Sequence, residues 1–267
     1  MSNLLSRLLT AAVAIPLLVA LILWRQRLGF GGLLVVCSTL GMVEFTAMML
    51  PGLARIERAI MVATGTALTI GLYLRPELAM VWILGALIIS ATLVLLRPGE
   101  IARAGARLGI VALGMLYVST LTAPLALLHR QLPDGPQWVL AALAATFLND
   151  SGAYFAGRAL GRHKLYPAIS PAKSVEGAVG GLVVCVGSLF LLRLFLFPAL
   201  TAGDCLLVAI PASVLGPIGD LVESMLKRSA GVKDSGHIIP GHGGILDRLD
   251  ALLFVGAWVY VYAVHLR

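Results

Sequence analysis

Long apolar runs separated by short basic stretches recur through the chain, and several reach the roughly 20 residues that cross a bilayer as a helix. Read by hydropathy, they predict nine spans near 8–24, 29–50, 59–74, 78–96, 108–128, 137–156, 175–197, 204–226 and 248–266. The third is short. The eighth carries Pro211 and Pro217, which a membrane helix tolerates where neighbouring groups re-satisfy its backbone. The run Leu8–Trp24 exceeds the roughly 7–15 apolar residues of a secretion signal, so it reads as a retained first helix. The expected fold is an all-α integral membrane protein, a polytopic bundle of about nine transmembrane helices. No clear internal repeat or low-complexity segment accompanies the spans, which weighs against repeat-built transporters.

Composition excludes a soluble fold. Of 267 residues, 59% are hydrophobic and 12% charged, whereas a water-facing domain surface is about 25–35% charged. The net charge of +7 would suggest nucleic acid in a soluble protein. Here the position of the bases along the chain explains it, and no nucleic-acid partner is expected. On alternate sides of the predicted spans fall Arg7, Arg55, Arg58, Arg97, Arg103, Arg107, Arg158, Arg162, Lys164, Lys173, Lys227, Arg228, Lys233 and Arg248, against Arg25, Arg27, Arg75, Arg130, Arg193 and Arg267. Positive residues in short loops are retained in the cytoplasm. The N-terminus is therefore expected on the cytoplasmic side, the odd span count puts the C-terminus outside, and a bacterial protein of this kind would be a multi-pass protein of the cytoplasmic membrane. Cys37, Cys185 and Cys205 lie in apolar stretches without paired spacing and read as small hydrophobes.

The polar chemistry is concentrated late in the chain. All four lysines fall between 164 and 233, and eight of the thirteen acids lie in 150–250. Residues 1–135 therefore read as a transmembrane scaffold and 136–267 as the catalytic region, with cytoplasmic loops at 157–174 and 227–247. A carboxylate at or within a membrane is costly unless paired or bound to a cation. Asp150 sits near the end of span six, Asp220 and Glu223 near the end of span eight, and Asp247 and Asp250 at the start of span nine. Residues three or four apart share a helix face, so Asp220, Glu223, Ser224 and Lys227 form one stripe and Asp247 falls beside Asp250. Such a set suits Mg²⁺, which takes one or two carboxylates and completes its shell with water and phosphate oxygens. Ion pairing with Arg248 and other bases is the plainer use of Asp247 and Asp250. Glu44, alone within span two, reads as a packing or dimer contact.

The connection from Lys227 to Gly244 interleaves Lys227, Arg228, Lys233, His237 and His242 with five glycines. Glycine lets backbone N–H groups approach an anion closely, and lysine and arginine supply charge for phosphate oxygens. His242 is placed to bond a phosphate or the local backbone. The plainer reading of such a loop is a topology signal or a contact with lipid headgroups.

The run Ser224-Met225-Leu226-Lys227-Arg228, then Lys233-Asp234-Ser235-Gly236, then Pro240-Gly241-His242-Gly243-Gly244-Ile245-Leu246-Asp247-Arg248-Leu249-Asp250 resembles the signature of the phosphatidate cytidylyltransferases, also called CDP-diacylglycerol synthases, without a departure. Asn149-Asp150-Ser151-Gly152-Ala153-Tyr154-Phe155 and Ile169-Ser170-Pro171-Ala172-Lys173-Ser174-Val175-Glu176-Gly177 also look like features of that family. The resemblance covers roughly 145–255; upstream the match is one of hydrophobicity.

It implies transfer of CMP from CTP to phosphatidic acid with Mg²⁺ required, a second metal ion being compatible, and membrane lipids as surroundings. On that reading Asp220 and Asp247 hold metal, with Glu223, Asp150 and Asp250 as further metal or orienting carboxylates. Lys173, Lys227, Arg228 and Lys233 meet phosphates, and Ser170, Ser224, His242 and Arg248 are additional substrate contacts. Asp220, Asp247, Lys227 and Lys233 form the expected catalytic core. The competing readings are a related CTP-dependent transferase acting on another lipid, and an ion-coupled membrane transporter. A homodimer is compatible with each.

Overall fold

The computed structural model describes residues 12, 15–24, 27–238 and 243–267. Arg7, Arg25, His242 and residues 8–11, 13 and 14 of the expected first span lie outside the described residues. After a helical stretch at 15–23 come α1 (Arg27–Met49), α2 (Arg55–Leu74), α3 (Ala79–Leu96) and α4 (Ile101–Gly114). A π-helical segment at Met115–Thr120 joins α4 to α5 (Leu121–Gln131). Then follow α6 (Gly135–Leu160), β1 (Lys164–Tyr166), β2 (Ser170–Ser174), α7 (Val175–Phe195), α8 (Ala202–Ser229) and α9 (Leu246–Val261), which ends in a π-helical turn through Leu266.

Seven helical segments among the described residues are long and apolar enough to cross a membrane, and the protein is an all-α polytopic membrane protein. The expected third span corresponds to α2, which is not among these seven; its first turn holds Arg55, Glu57 and Arg58. The fifth is longer than expected, running as one helical segment from Ile101 to Gln131. Two expected loops are also shorter. Helix α6 extends to Leu160 and a two-stranded antiparallel hairpin occupies 164–174, a small exception to the all-α reading. Helix α8 extends to Ser229, so Lys227 and Arg228 belong to a helix and not to a loop.

By packing, the chain forms two compact units, Met1–Leu127 with Asp234–Asp247, and Leu128–Lys233 with Arg248–Arg267. In the first, α1 packs against α2, with Met42 against Gly65, and Met42, Phe45, Met61 and Leu68 are all buried. Ser38 and Thr69 satisfy one another across this contact at 2.7 Å. The Arg107 guanidinium pairs with Glu57 at 3.0 Å, holding α4 to α2.

In the second unit, glycines allow α6 and α7 to touch backbone to backbone. A Cβ on Gly181 would lie 2.7 Å from Asn149 Oδ1, and one on Gly152 would lie 2.7 Å from the Val184 side chain. The Gly177/Gly181 spacing thus serves close helix packing, as expected of small residues in membrane helices. Helix α8 runs through both prolines. Pro211 has no N–H for the Leu207 carbonyl, which instead accepts from Trp258 Nε1 of α9 at 3.2 Å. The start of α8 is closed by reciprocal bonds, Thr201 N to Asp204 Oδ2 at 2.7 Å and Asp204 N to Thr201 Oγ1 at 3.0 Å, the capping-box arrangement.

Candidate functional site

Within the second unit a cavity of about 410 Å³ is lined by Asp150, Tyr154, Arg158, Leu165, Lys173, Pro217 and Asp220 among others. It is built by α6, the hairpin, the start of α7 and α8. From α6, Asp150, Tyr154 and Arg158 stand four residues apart and so on one face. Arg158 Nη1 donates to the Tyr154 hydroxyl at 3.0 Å.

From the hairpin comes Lys173, whose position is set by the start of α7. Ser174 caps that helix, its Oγ accepting from Gly177 N at 3.1 Å. Glu176 in the first turn accepts from Arg162 N at 3.0 Å and pairs with His163 Nδ1 at 2.6 Å, tying the hairpin base to the helix. Lys173 is thereby held next to the cap and points its ammonium at Asp220 Oδ2, 2.8 Å away. Asp220 Oδ1 accepts from Ser224 Oγ at 3.2 Å, the i to i+4 neighbour on α8. The carboxylate is thus oriented by one contact on each oxygen, and both ion-pair partners stay partly accessible, at 23% and 33%.

Asp250 of α9 keeps its carboxylate near its own backbone, with Ala251 N donating to Oδ1 at 2.8 Å. Asp150, Asp220 and Asp250, from three helices, lie close enough for their charges to act on one another, with Lys173 and Lys227 as the nearby cations. This is the part of the sequence reading that the structure brings together. Glu223 and Lys227 turn inward instead and form an ion pair with one another. Glu223 is fully buried, away from any aqueous cation, and Lys227 is 14% exposed. Ser170 is half-buried in β2, and Arg228, Lys233 and Arg248 are exposed.

Asp247 has a distinct environment in the first unit. Its Oδ2 accepts from Ser235 N at 3.0 Å, Ser235 Oγ at 2.9 Å and Gly244 N at 2.8 Å, closing the segment 235–247 on itself. The chain leaves α8 through a glycine: Gly231 has φ +71°, and Gly231 N and Val232 N donate back to the Arg228 and Lys227 carbonyls. A left-handed residue at that place ends a helix most readily as glycine.

Among the described residues no group of three or more His, Cys, Asp and Glu side chains is gathered as ready-made metal ligands. The chemistry of the aspartate set still fits Mg²⁺: the donors are all carboxylate oxygens, and this ion uses few of them when substrate phosphates complete its shell. Arg158, read from sequence only as a topology signal, was the residue missed in this cavity. Its spacing of eight from Asp150 on an uninterrupted helix was the available sign.

A model of the cytidylyltransferase family matches residues 5–266. A phosphatidate cytidylyltransferase of Staphylococcus haemolyticus is 49% identical over 122 residues, 46% of this chain and 47% of that protein. Proteins of the same name from Staphylococcus saprophyticus and Bacillus subtilis are 46% and 47% identical over 128 and 126 residues. The matched stretch spans about half the length of these curated relatives.

Proposed function

The chain belongs to the cytidylyltransferase family, and from that premise we propose that it transfers CMP from CTP to phosphatidic acid, forming CDP-diacylglycerol and pyrophosphate. The observation that carries the proposal is the cavity in which Asp150, Arg158, Lys173 and Asp220 meet at the polar ends of membrane helices. A lipid phosphate and a water-borne triphosphate can both reach such a place. Family membership gives the transporter alternative no support, and nothing in the cavity favours a different lipid acceptor.

In the proposed reaction a phosphatidate oxygen forms a bond to the α-phosphorus of CTP while the bond from that phosphorus to the bridging oxygen breaks and pyrophosphate leaves. The attacking oxygen is already ionised near neutral pH, so no strong general base is required. The work left to the protein is positioning and charge neutralisation, as in phosphoryl transfer generally. Arg158 and Lys173 are assigned to phosphate oxygens, Lys173 exchanging its contact with Asp220 for one with substrate. The exposed bases Arg228, Lys233 and Arg248 attract CTP, and Ser170 stands as a further polar contact beside Lys173. Asp220, with Asp150 and Asp250, is assigned to Mg²⁺, which when bound neutralises phosphate charge. Purified protein given labelled CTP, phosphatidic acid and Mg²⁺ should place label in the lipid extract in a metal-dependent way. No labelled lipid from folded protein under these conditions would sink the proposal.

The same reading puts the N-terminus and the segments 161–174 and 230–245 in the cytoplasm, on the support of the asymmetric bases. In a background lacking native cysteines, single cysteines at Ala168 and Lys233, both exposed, should resist an impermeant thiol reagent added outside intact cells and react once the membrane is opened. Labelling from outside would invert the orientation and remove cytoplasmic CTP as substrate.

A further inference from the structure

Glu44 lies on membrane helix α1 and is 4% exposed, yet the proposed reaction has no use for it. A buried carboxylate in such a helix is costly unless its oxygens are satisfied. Here they are satisfied from residues about 200 positions later. Glu44 Oε1 accepts from Ile245 N at 3.0 Å, and Oε2 accepts from Leu246 N at 2.9 Å and from Ser235 Oγ at 3.3 Å. Ile245 and Leu246 stand at the start of α9, where N–H groups have no partner within the helix and a carboxylate is also favoured by the helix dipole. An ordinary N-cap takes this role with its own side chain, but Ile245 has no acceptor to offer.

The surrounding backbone is shaped to the same carboxylate. A Cβ on Gly244 would lie 2.5 Å from Glu44 Oε2, and one on Gly236 would lie 2.7 Å from Glu44 Cδ, so only glycine permits this approach at either place. Ser235 links Glu44 to Asp247, since its Oγ is also 2.9 Å from Asp247 Oδ2. A glycine-rich segment loses much conformational entropy on ordering, and among the described residues Glu44 is the acceptor that holds it from outside its own sequence.

We propose that Glu44 is a positioning residue: a cap supplied by α1 that fixes Ser235, the first turn of α9 and hence the orientation of Asp247, in the stretch of chain between Lys233 and Arg248, two of the bases to which the proposed function assigns attraction of CTP. The proposal rests on that function for its catalytic consequence but not for its structural one. Glu44→Ala removes every acceptor, whereas Glu44→Gln keeps one oxygen and turns an amide donor toward N–H groups.

Hydrogen exchange of the membrane-embedded protein separates the possibilities. In Glu44→Ala the amides of Ile245 and Leu246 should exchange faster by about ten- to a hundredfold, as expected for losing hydrogen bonds to a carboxylate; Glu44→Gln should fall between, and exchange in α6 and α7 should not change. Kinetics should show a raised KM for CTP with the KM for phosphatidic acid retained. Unchanged exchange at Ile245 and Leu246, or an equal rise throughout the chain, would overturn the proposal, the latter by making Glu44 a general core residue. If the unsubstituted protein transfers no CMP, the proposed function fails, while the exchange result still decides the role of Glu44.

Discussion

Asp220→Asn is expected to lower CTP-dependent CMP transfer by about a hundredfold or more, equivalent to ~3 kcal/mol of transition-state stabilisation, with the protein still folded in the membrane. The amide has nearly the same size and retains an oxygen that can accept from Ser224, which now bonds Oδ1 at 3.2 Å. On the other side it sets an N–H₂ group where Lys173 is 2.8 Å from Oδ2, so two donors face each other. Negative charge for a cation is lost at a carboxylate that both lines the cavity and has each oxygen already oriented. Rates should be compared at matched membrane levels, with Mg²⁺ varied. Near-normal turnover with an unchanged Mg²⁺ dependence would rule out the metal role, and aggregation of the variant in mild detergent would show that Asp220 is needed for folding instead.

The second large effect is on stability. Lys227→Met should cost about 3–5 kcal/mol, the usual consequence of removing one member of a buried ion pair, because it takes the lysine from the fully buried Glu223. Arg228→Met, one residue further along the same helical turn but exposed, should be nearly neutral. The double substitution Glu223→Gln/Lys227→Met should recover much of the loss, since a pair removed together leaves less charge buried. Heating in detergent followed by size-exclusion chromatography measures the fraction that stays monodisperse. If Lys227→Met is as stable as the unsubstituted chain and only its KM for CTP rises, Lys227 is a phosphate ligand as the sequence reading had it, and the ion pair is incidental.

Both predictions concern the stripe on α8. Its composition was legible, because residues 220, 223, 224 and 227 repeat at helical spacing whatever the surrounding fold. Its division of labour was not. Asp220 lines the cavity while Glu223 and Lys227 face inward, and a step of three residues decides which carboxylate can meet an aqueous ion. Reading Glu223 for metal and Lys227 for phosphate treated the stripe as one face, whereas burial splits it.

Hydropathy and bilayer thickness alone determined that the chain is a set of membrane helices, since a run of about 20 apolar residues has few other stable places. The pattern of acids, bases and glycines in 145–255 likewise determined the family resemblance. These are local properties, carried by neighbours within a few turns. Only the tertiary structure decided that Lys173 from a hairpin meets Asp220, that Arg158 joins them in one cavity, and that Asp247 closes a loop through Ser235 and Gly244. It also decided that residues 234–247 pack with the first unit and that Glu44 caps a helix beginning about 200 residues later. Each of these depends on which helix faces bury against one another, and a linear pattern of residues records the faces but not their partners.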